Sequence, residues 1–262
     1  MNLSRAREKE IRAIFSRQGR RKSGKVLIEG VRAIDAALKA GVAPEYFVVS
    51  PEYLTETGQY FRKTISDLPT PLYESEPKRF DRLSDTVHSQ GLLAVVGEDF
   101  LYRSVKAVGE ARFVVYLDGI ADPGNLGTII RTAAAFAVDL LALSPECADI
   151  GNPKVLRASA GFVFSLPIRK IEDPEAFFLE LEANKIEVYG CAADSDNYLD
   201  FLTAGEKVCL AIGSEARGLS ESARKRCKAL LAIKMASSVE SLNVAAAAAI
   251  AINSIARKLE VV

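Results

Sequence analysis

The stretch DPGNLGTIIRTAAAF, residues 122–136, decides how this chain folds. Before it comes RFVVYLDGI, an apolar run that reads as a buried strand, and after it DLLALS, which reads as another. The stretch itself opens on turn formers and passes into a helix expected from about Thr128 to Phe136. Strand, glycine-rich loop, helix, strand is the repeating unit of a parallel sheet covered by helices. One charge, Arg131, stands between Asp122 and Asp139, in what reads as the early helix. Helix N-termini disfavour cations, so this arginine asks for a functional reason.

The same alternation continues outward. Downstream, residues 152–159 and DPEAFFLELEANK read as helices. IEVYGCAA, KVCLAIGSE and LLAIKM read as strands, and SVESLNVAAAAAIAINSIARKL as one long closing helix. Upstream, SRAREKEIRAIFSR reads as a helix, KVLIEG as a strand, VRAIDAALKAG as a helix ended by Gly41, and EYFVVS as a strand. Residues 52–68 look helical, PLYES extended, EPKRFDRLSDT helical, and LLAVV is a short buried strand. The chain divides into an α/β domain over residues 1–97, a linker over 98–111, and a larger, mostly parallel α/β domain over 112–262.

With 262 residues, 49% of them hydrophobic, there is enough apolar matter for two packed cores. Lysine plus arginine balance aspartate plus glutamate at 34 each, yet residues 1–25 hold nine basic residues against two acidic ones. A basic arm on a neutral body points to an anionic partner, nucleic acid first. Cys147, Cys191, Cys209 and Cys227 form no CxxC pair and His88 is the one histidine, so no metal site is expected. The cysteines read as small buried hydrophobes in a reducing compartment, and His88 as structural. The longest apolar run, Val244–Ile252, is far short of the roughly 20 residues that span a bilayer. The N-terminus lacks a secretory pattern, and the cytoplasm is the expected location.

Three strand-to-loop junctions are rich in glycine and small polar residues: LDGIADPGNLG, AIGSEARGLS, and the run from Ile233 through MASSVESLN. Ligands of parallel sheets bind beyond the carboxyl ends of the strands. No GxGxxG follows a strand and no GxxxxGK[ST] occurs, which disfavours a dinucleotide-dependent oxidoreductase or a phosphate cradle.

DPGNLGTIIRTA, GSEARGLS and IKMASSVESLNVAAA resemble the three signature motifs of the SpoU (TrmH) RNA 2′-O-ribose methyltransferases, in the correct order. NPKVLRASAGFVFSLP, residues 152–167, is similar to the segment between the first two motifs. The N-terminal part resembles the small α/β/α RNA-binding domain often fused to that catalytic domain. The resemblance implies a C-terminal trefoil knot, S-adenosylmethionine as cofactor, a homodimer, and RNA rather than DNA as partner. It places the last helix in the dimer interface, where its apolar character from Val244 to Ile255 fits burial on all sides.

Carried over residue by residue, the resemblance assigns Asn125, Arg131, Glu215, Ser241 and Asn243 to the catalytic site. It assigns Gly213, Ile233 and Leu242 to the cofactor pocket, with Met235 beside them. In the family the arginine is assigned as a base toward the 2′-hydroxyl. Free guanidinium stays protonated above pH ~12, so an electrostatic grip on an RNA phosphate or a developing alkoxide is the chemically simpler role. Asn125 also reads as a helix cap, and Ser241 and Asn243 as another. Two positions depart from the motif: Lys234 stands where proline is usual, and Ala245 where serine is common. The expected function is methylation of a ribose 2′-hydroxyl, foremost in ribosomal RNA. Transfer RNA as target, or an inactive RNA-binding protein of the same fold, are the alternatives.

Overall fold

The computed structural model describes residues 1–86, 89–102, 107–201, 205–236 and 238–262; His88 lies outside them. The chain forms two compact units, one of residues 1–101 with 149–165, the other of 102–148 with 166–262.

The first unit begins with α1 (Arg5–Ile14) and α2 (Arg17–Ser23). The helix expected over residues 4–17 ends at Ile14, and α2, which was not anticipated, starts where Ser16 accepts from Gly19 N–H as its N-cap. A sheet follows, from β1 (Lys25–Glu29), β2 (Tyr46–Val49), β3 (Leu72–Glu74) and β4 (Leu92–Gly97), in the order β1-β4-β2-β3. β4 runs antiparallel to both β1 and β2. Between the strands lie α3 (Val31–Lys39), α4 (Glu56–Ser66) and the short α5 (Pro77–Phe80). Ile11 and Ile14 of α1 pack with Leu27, Val48, Phe80 and Leu93 into one core cluster.

Three of the nine basic residues of the first 25 are internal fittings. Arg20 is 2% exposed, donating to Asp149 and to the Ile14 and Phe15 carbonyls. Arg7 lies over the rings of Tyr46 and Tyr73, and Lys25 pairs with Glu10 and Glu45. Arg5, Lys9, Arg12, Arg17, Arg21 and Lys22 are exposed, with no ion pair among the described residues.

Glu29 ends β1 at 8% exposure. Its Oε1 accepts from the hydroxyls of Ser84 (2.5 Å), Thr86 (2.7 Å) and Ser89 (2.9 Å). Its Oε2 has no hydrogen-bond partner among the described residues. Arg157 Nη1 stands 3.9 Å from it, while Arg157 Nη2 donates to Asp85.

The second unit is built on six strands: β5 (Phe113–Asp118), β6 (Leu140–Leu143), β7 (Ile168–Lys170), β8 (Glu187–Cys191), β9 (Val208–Gly213) and β10 (Ala229–Leu231). Their order is β10-β8-β9-β5-β6-β7 and every pairing is parallel. The central strands are buried along their whole length, as a sheet covered on both faces requires. The helices are α6 (Pro123–Ala135), α8 (Pro174–Ala183), α9 (Glu221–Arg226) and α10 (Val244–Lys258). Another, α7 (Pro153–Ala158), packs with the first unit. No described helix is long and apolar enough to cross a membrane.

Four features depart from the sequence reading. α6 starts at Pro123, five residues early, because Asp122 accepts from Asn125 N–H as its N-cap and Pro123 takes the first helical position. Arg131 therefore lies in the second half of the helix, where the dipole does not oppose a cation. The strand β7 was not anticipated. α10 begins only at Val244, capped by Asn243 Oδ1, which accepts from Ala245 and Ala246 N–H. Within this chain one face of α10 is buried (Val244, Ala248, Ala251, Ile252, Ile255), while Ala246, Ile250 and Arg257 are exposed.

Neighbouring residues of a strand direct their backbone groups to opposite edges. At β10, Leu231 O accepts from Ala192 N–H, continuing the pairing with β8. Ala232 bonds the other way: its N–H donates to Asn197 O and its carbonyl accepts from Leu199 N–H. Residues 192–199 therefore pass from one edge of β10 to the other.

Candidate active site

The carboxyl ends of β5 and β9 meet in register at Asp118 and Gly213, with Cys191 of β8 opposite Ile212. The loops that leave these ends assemble the site. Gly213 leads into a tight turn in which Ser214 and Gly218 exchange backbone hydrogen bonds. A Cβ on Gly213 would lie 2.0 Å from the Gly218 carbonyl carbon, so glycine is required there. Asp118, buried at the end of β5, accepts from Ser220 N–H at 2.8 Å and fixes the far side of the turn.

Glu215 projects from this turn. Its Oε1 accepts from Asn243 Nδ2 (2.8 Å), Val244 N–H (3.0 Å) and Asn125 Nδ2 (3.4 Å). Asn243 Nδ2 also donates to Asn125 Oδ1 at 3.1 Å. One carboxylate oxygen thus ties together the first turn of α6, the turn after β9 and the start of α10. Three N–H donors converge on one atom of Glu215.

Next to this knot of polar groups lies a cavity of about 200 Å³. Gly213, Glu215, Ile233, Met235, Ser241 and Leu242 line it, as do Ile212, Leu219, Val244 and Ala247. All four residues expected to hold a cofactor are on its wall. Lys234 is exposed between Ile233 and Met235. The cavity wall also includes Cys191, read from the sequence as a buried hydrophobe, and Asp194 and Arg224, which the sequence did not single out. Arg224 Nη2 donates to Asp194 Oδ2 at 2.9 Å, across 30 residues of sequence. Burial pushes the Cys191 thiol up to about 11.

Asn125 is not the cap of α6 but its third residue, with its side chain free for Glu215 and Asn243. Arg131 is not drawn into this cluster. Six residues along a helix is a rise of about 9 Å and a turn of about 240° from Asn125. Arg131 is exposed, makes no hydrogen bond or ion pair among the described residues, and does not line the cavity. Ser241 lines the cavity and Asn243 combines site and cap.

Residues 112–253 match the SpoU rRNA methylase family, and residues 6–94 match an MRM3-like substrate binding domain. The chain belongs to the SpoU rRNA methylase family. Among its relatives is the 23S rRNA (guanosine(2553)-2′-O)-methyltransferase RlmP of Bacillus subtilis. It is 30% identical over 245 residues, 92% of each chain. The SpoU methyltransferase AviRb of Streptomyces viridochromogenes, crystallised with AdoMet, superposes with a TM-score of 0.83. That match has 27% identity and covers 97% of this chain and 98% of AviRb. An AdoMet-bound rRNA methyltransferase of Sinorhizobium meliloti gives a TM-score of 0.82 at 25% identity, over 99% and 97% of the two chains. The SpoU fold and the three convergent loops are thus seen in the same chain.

Proposed function

We propose that this SpoU protein is an S-adenosylmethionine-dependent RNA 2′-O-ribose methyltransferase whose target is ribosomal RNA. The observation that carries the reading is the single oxygen of Glu215 holding Asn125, Asn243 and the first turn of α10 at the rim of an apolar cavity.

The cavity suits the cofactor. Ile233, Met235 and Leu242 offer apolar walls for an adenine ring, and Gly213 and Gly218 complete the wall without side-chain bulk. At about 200 Å³ it is smaller than the roughly 300–1,000 Å³ of common ligand pockets, so a nucleoside-sized ligand fills it and keeps part of its surface outside. When bound, S-adenosylmethionine supplies a methyl group already activated by the positive charge of its sulfonium. The chain's part is to hold the ribose oxygen in line with that methyl and to ease the loss of the hydroxyl proton. Asn125, fixed from two sides, orients the nucleotide, and Ser241 adds a hydroxyl beside it. Arg131, exposed and without an ion pair among the described residues, grips the neighbouring phosphate or the alkoxide as charge develops.

Residues 1–97 hold the RNA, 98–111 link, and 112–262 carry the chemistry. The six exposed cations of α1 and α2 support the first assignment. The passage of residues 192–199 around β10 supports a trefoil-knotted C-terminus. The open face of α10, with Ile250 45% exposed, supports a homodimer. The protein works in the cytoplasm.

Calorimetry should show uptake of S-adenosylmethionine, and the protein should methylate ribosomal RNA from cells lacking its gene. Arg131→Ala is expected to lower transfer about 10³-fold, with cofactor affinity and fold intact. Wild-type turnover in that variant, or no cofactor uptake at millimolar concentration, contradicts the reading.

A further inference from the structure

We infer that Arg217 is a second RNA-phosphate ligand of the site, held in readiness by Glu146. This rests on the methyltransferase reading above and adds to it a residue that neither the motifs nor the cavity single out.

Arg217 belongs to the same turn as Glu215, two residues on, just before Gly218, whose φ is +64°. Glu215 faces the polar cluster and the cavity. Arg217 does not line the cavity; its guanidinium crosses the loop after β5 and donates from Nη2 to Glu146 Oε2 at 2.5 Å. The crossing passes over Gly119, where an added Cβ would stand 3.4 Å from both Arg217 Nη2 and Glu146 Oε2. Glu146 is carried by the loop after β6. A cation is thereby placed over the carboxyl end of β5, on the rim that also presents Asp122 and Asn125 at the start of α6.

The pair is built to exchange. Its two side chains are 68% and 61% exposed. An exposed ion pair contributes little to stability and is screened by salt. A phosphate offers the same fork of oxygens as a carboxylate, and a guanidinium meets it with two parallel N–H groups. RNA reaching the site presents phosphates around the target ribose, and one of them replaces Glu146 on Arg217. Freeing Arg217 from Glu146 offsets part of that gain, so Glu146 lowers affinity by competing with the phosphate for the arginine.

The test uses the full chain, labelled S-adenosylmethionine, and total ribosomal RNA from cells lacking the gene, with KM for RNA followed against salt. Arg217→Ala should raise KM about tenfold and reduce the logarithmic salt slope by about 0.7–0.9, the contribution of one phosphate contact. Turnover at saturating RNA and cofactor affinity should stay within twofold. Glu146→Gln should lower KM about threefold, and this gain should vanish in the double variant with Arg217→Ala. An unchanged salt slope in Arg217→Ala overturns the assignment. So does a Glu146→Gln gain that persists without Arg217, which would make Glu146 a simple repulsive charge. No methyl transfer by the wild-type protein would overturn the reaction reading and this inference together, whereas a normal wild type with an unaltered Arg217→Ala removes the inference alone.

Discussion

Two glutamates in this chain do the same arithmetic with different results. Glu29 and Glu215 each load three donors onto one carboxylate oxygen. At Glu29 the donors are hydroxyls from a single short stretch, residues 84–89, and the carboxylate is buried. At Glu215 they are N–H groups from positions 90 residues before it and 28 and 29 after it, and the residue is exposed. The first arrangement pins one loop to the strand beneath it. The second joins distant segments and leaves them facing open space. A carboxylate oxygen loaded with donors stabilises a fold when it is buried and its donors share one short stretch, and assembles a site when it is exposed and they come from distant segments.

The contrast is open to direct attack. Its largest consequence is at Glu215: replacement by alanine should lower methyl transfer by about 10²–10³-fold, because Asn125 and Asn243 lose their common anchor. The thermal midpoint should hardly move. Steady-state kinetics beside a melting curve would show it, and a large loss of stability would put Glu215 in the same class as Glu29.

A second effect concerns the wall beside Glu215. Burial lifts the Cys191 thiol from an ordinary value to about 11. The reactive thiolate is then scarce below that pH, so iodoacetamide should modify Cys191 about 100-fold more slowly than an unperturbed cysteine at pH 8. The rate should climb as pH rises toward 11, and saturating S-adenosylmethionine should suppress it. Fast labelling at neutral pH would mean that this wall is wetter than the geometry implies.

The smallest effect is at Glu29. Glu29→Ala removes the acceptor shared by three hydroxyls and the carboxylate facing Arg157, and should cost about 2 kcal/mol of stability. Chemical denaturation would measure it, and cofactor affinity should be unchanged. A loss of cofactor binding in this variant would erase the distinction between the two carboxylates.

Much of this was legible in the chain itself. The alternation of strands and helices announced the parallel sheet, and the three motif loops brought Asn125, Glu215 and Asn243 together by resemblance. The start of α6 was misplaced because proline, glycine and asparagine read as a turn. The signal was nevertheless present: an aspartate followed by proline is a cap and a first helical residue. Correcting it removes the premise that Arg131 sits against the dipole. The three-residue β7 was too short to carry a period. Asn243 begins a helix that looked continuous with what preceded it, and α2, capped by Ser16, carries too little apolar pattern to be read as a helix. The pairs Arg217–Glu146 and Arg224–Asp194 span 71 and 30 residues, and no local pattern encodes which charge will meet which across loops.

The route of residues 192–199 around β10 has a bearing on how the protein comes into being. The loop can close only after residues 230–232 exist, and the cavity beside it draws its walls from positions as late as Ala247. Asn125 waits for Asn243, 118 residues further on. On the ribosome, then, the emerging polypeptide can collapse its early strands long before it owns a pocket. It becomes competent to take up a methyl donor only once the residues up to Ala247 have been made.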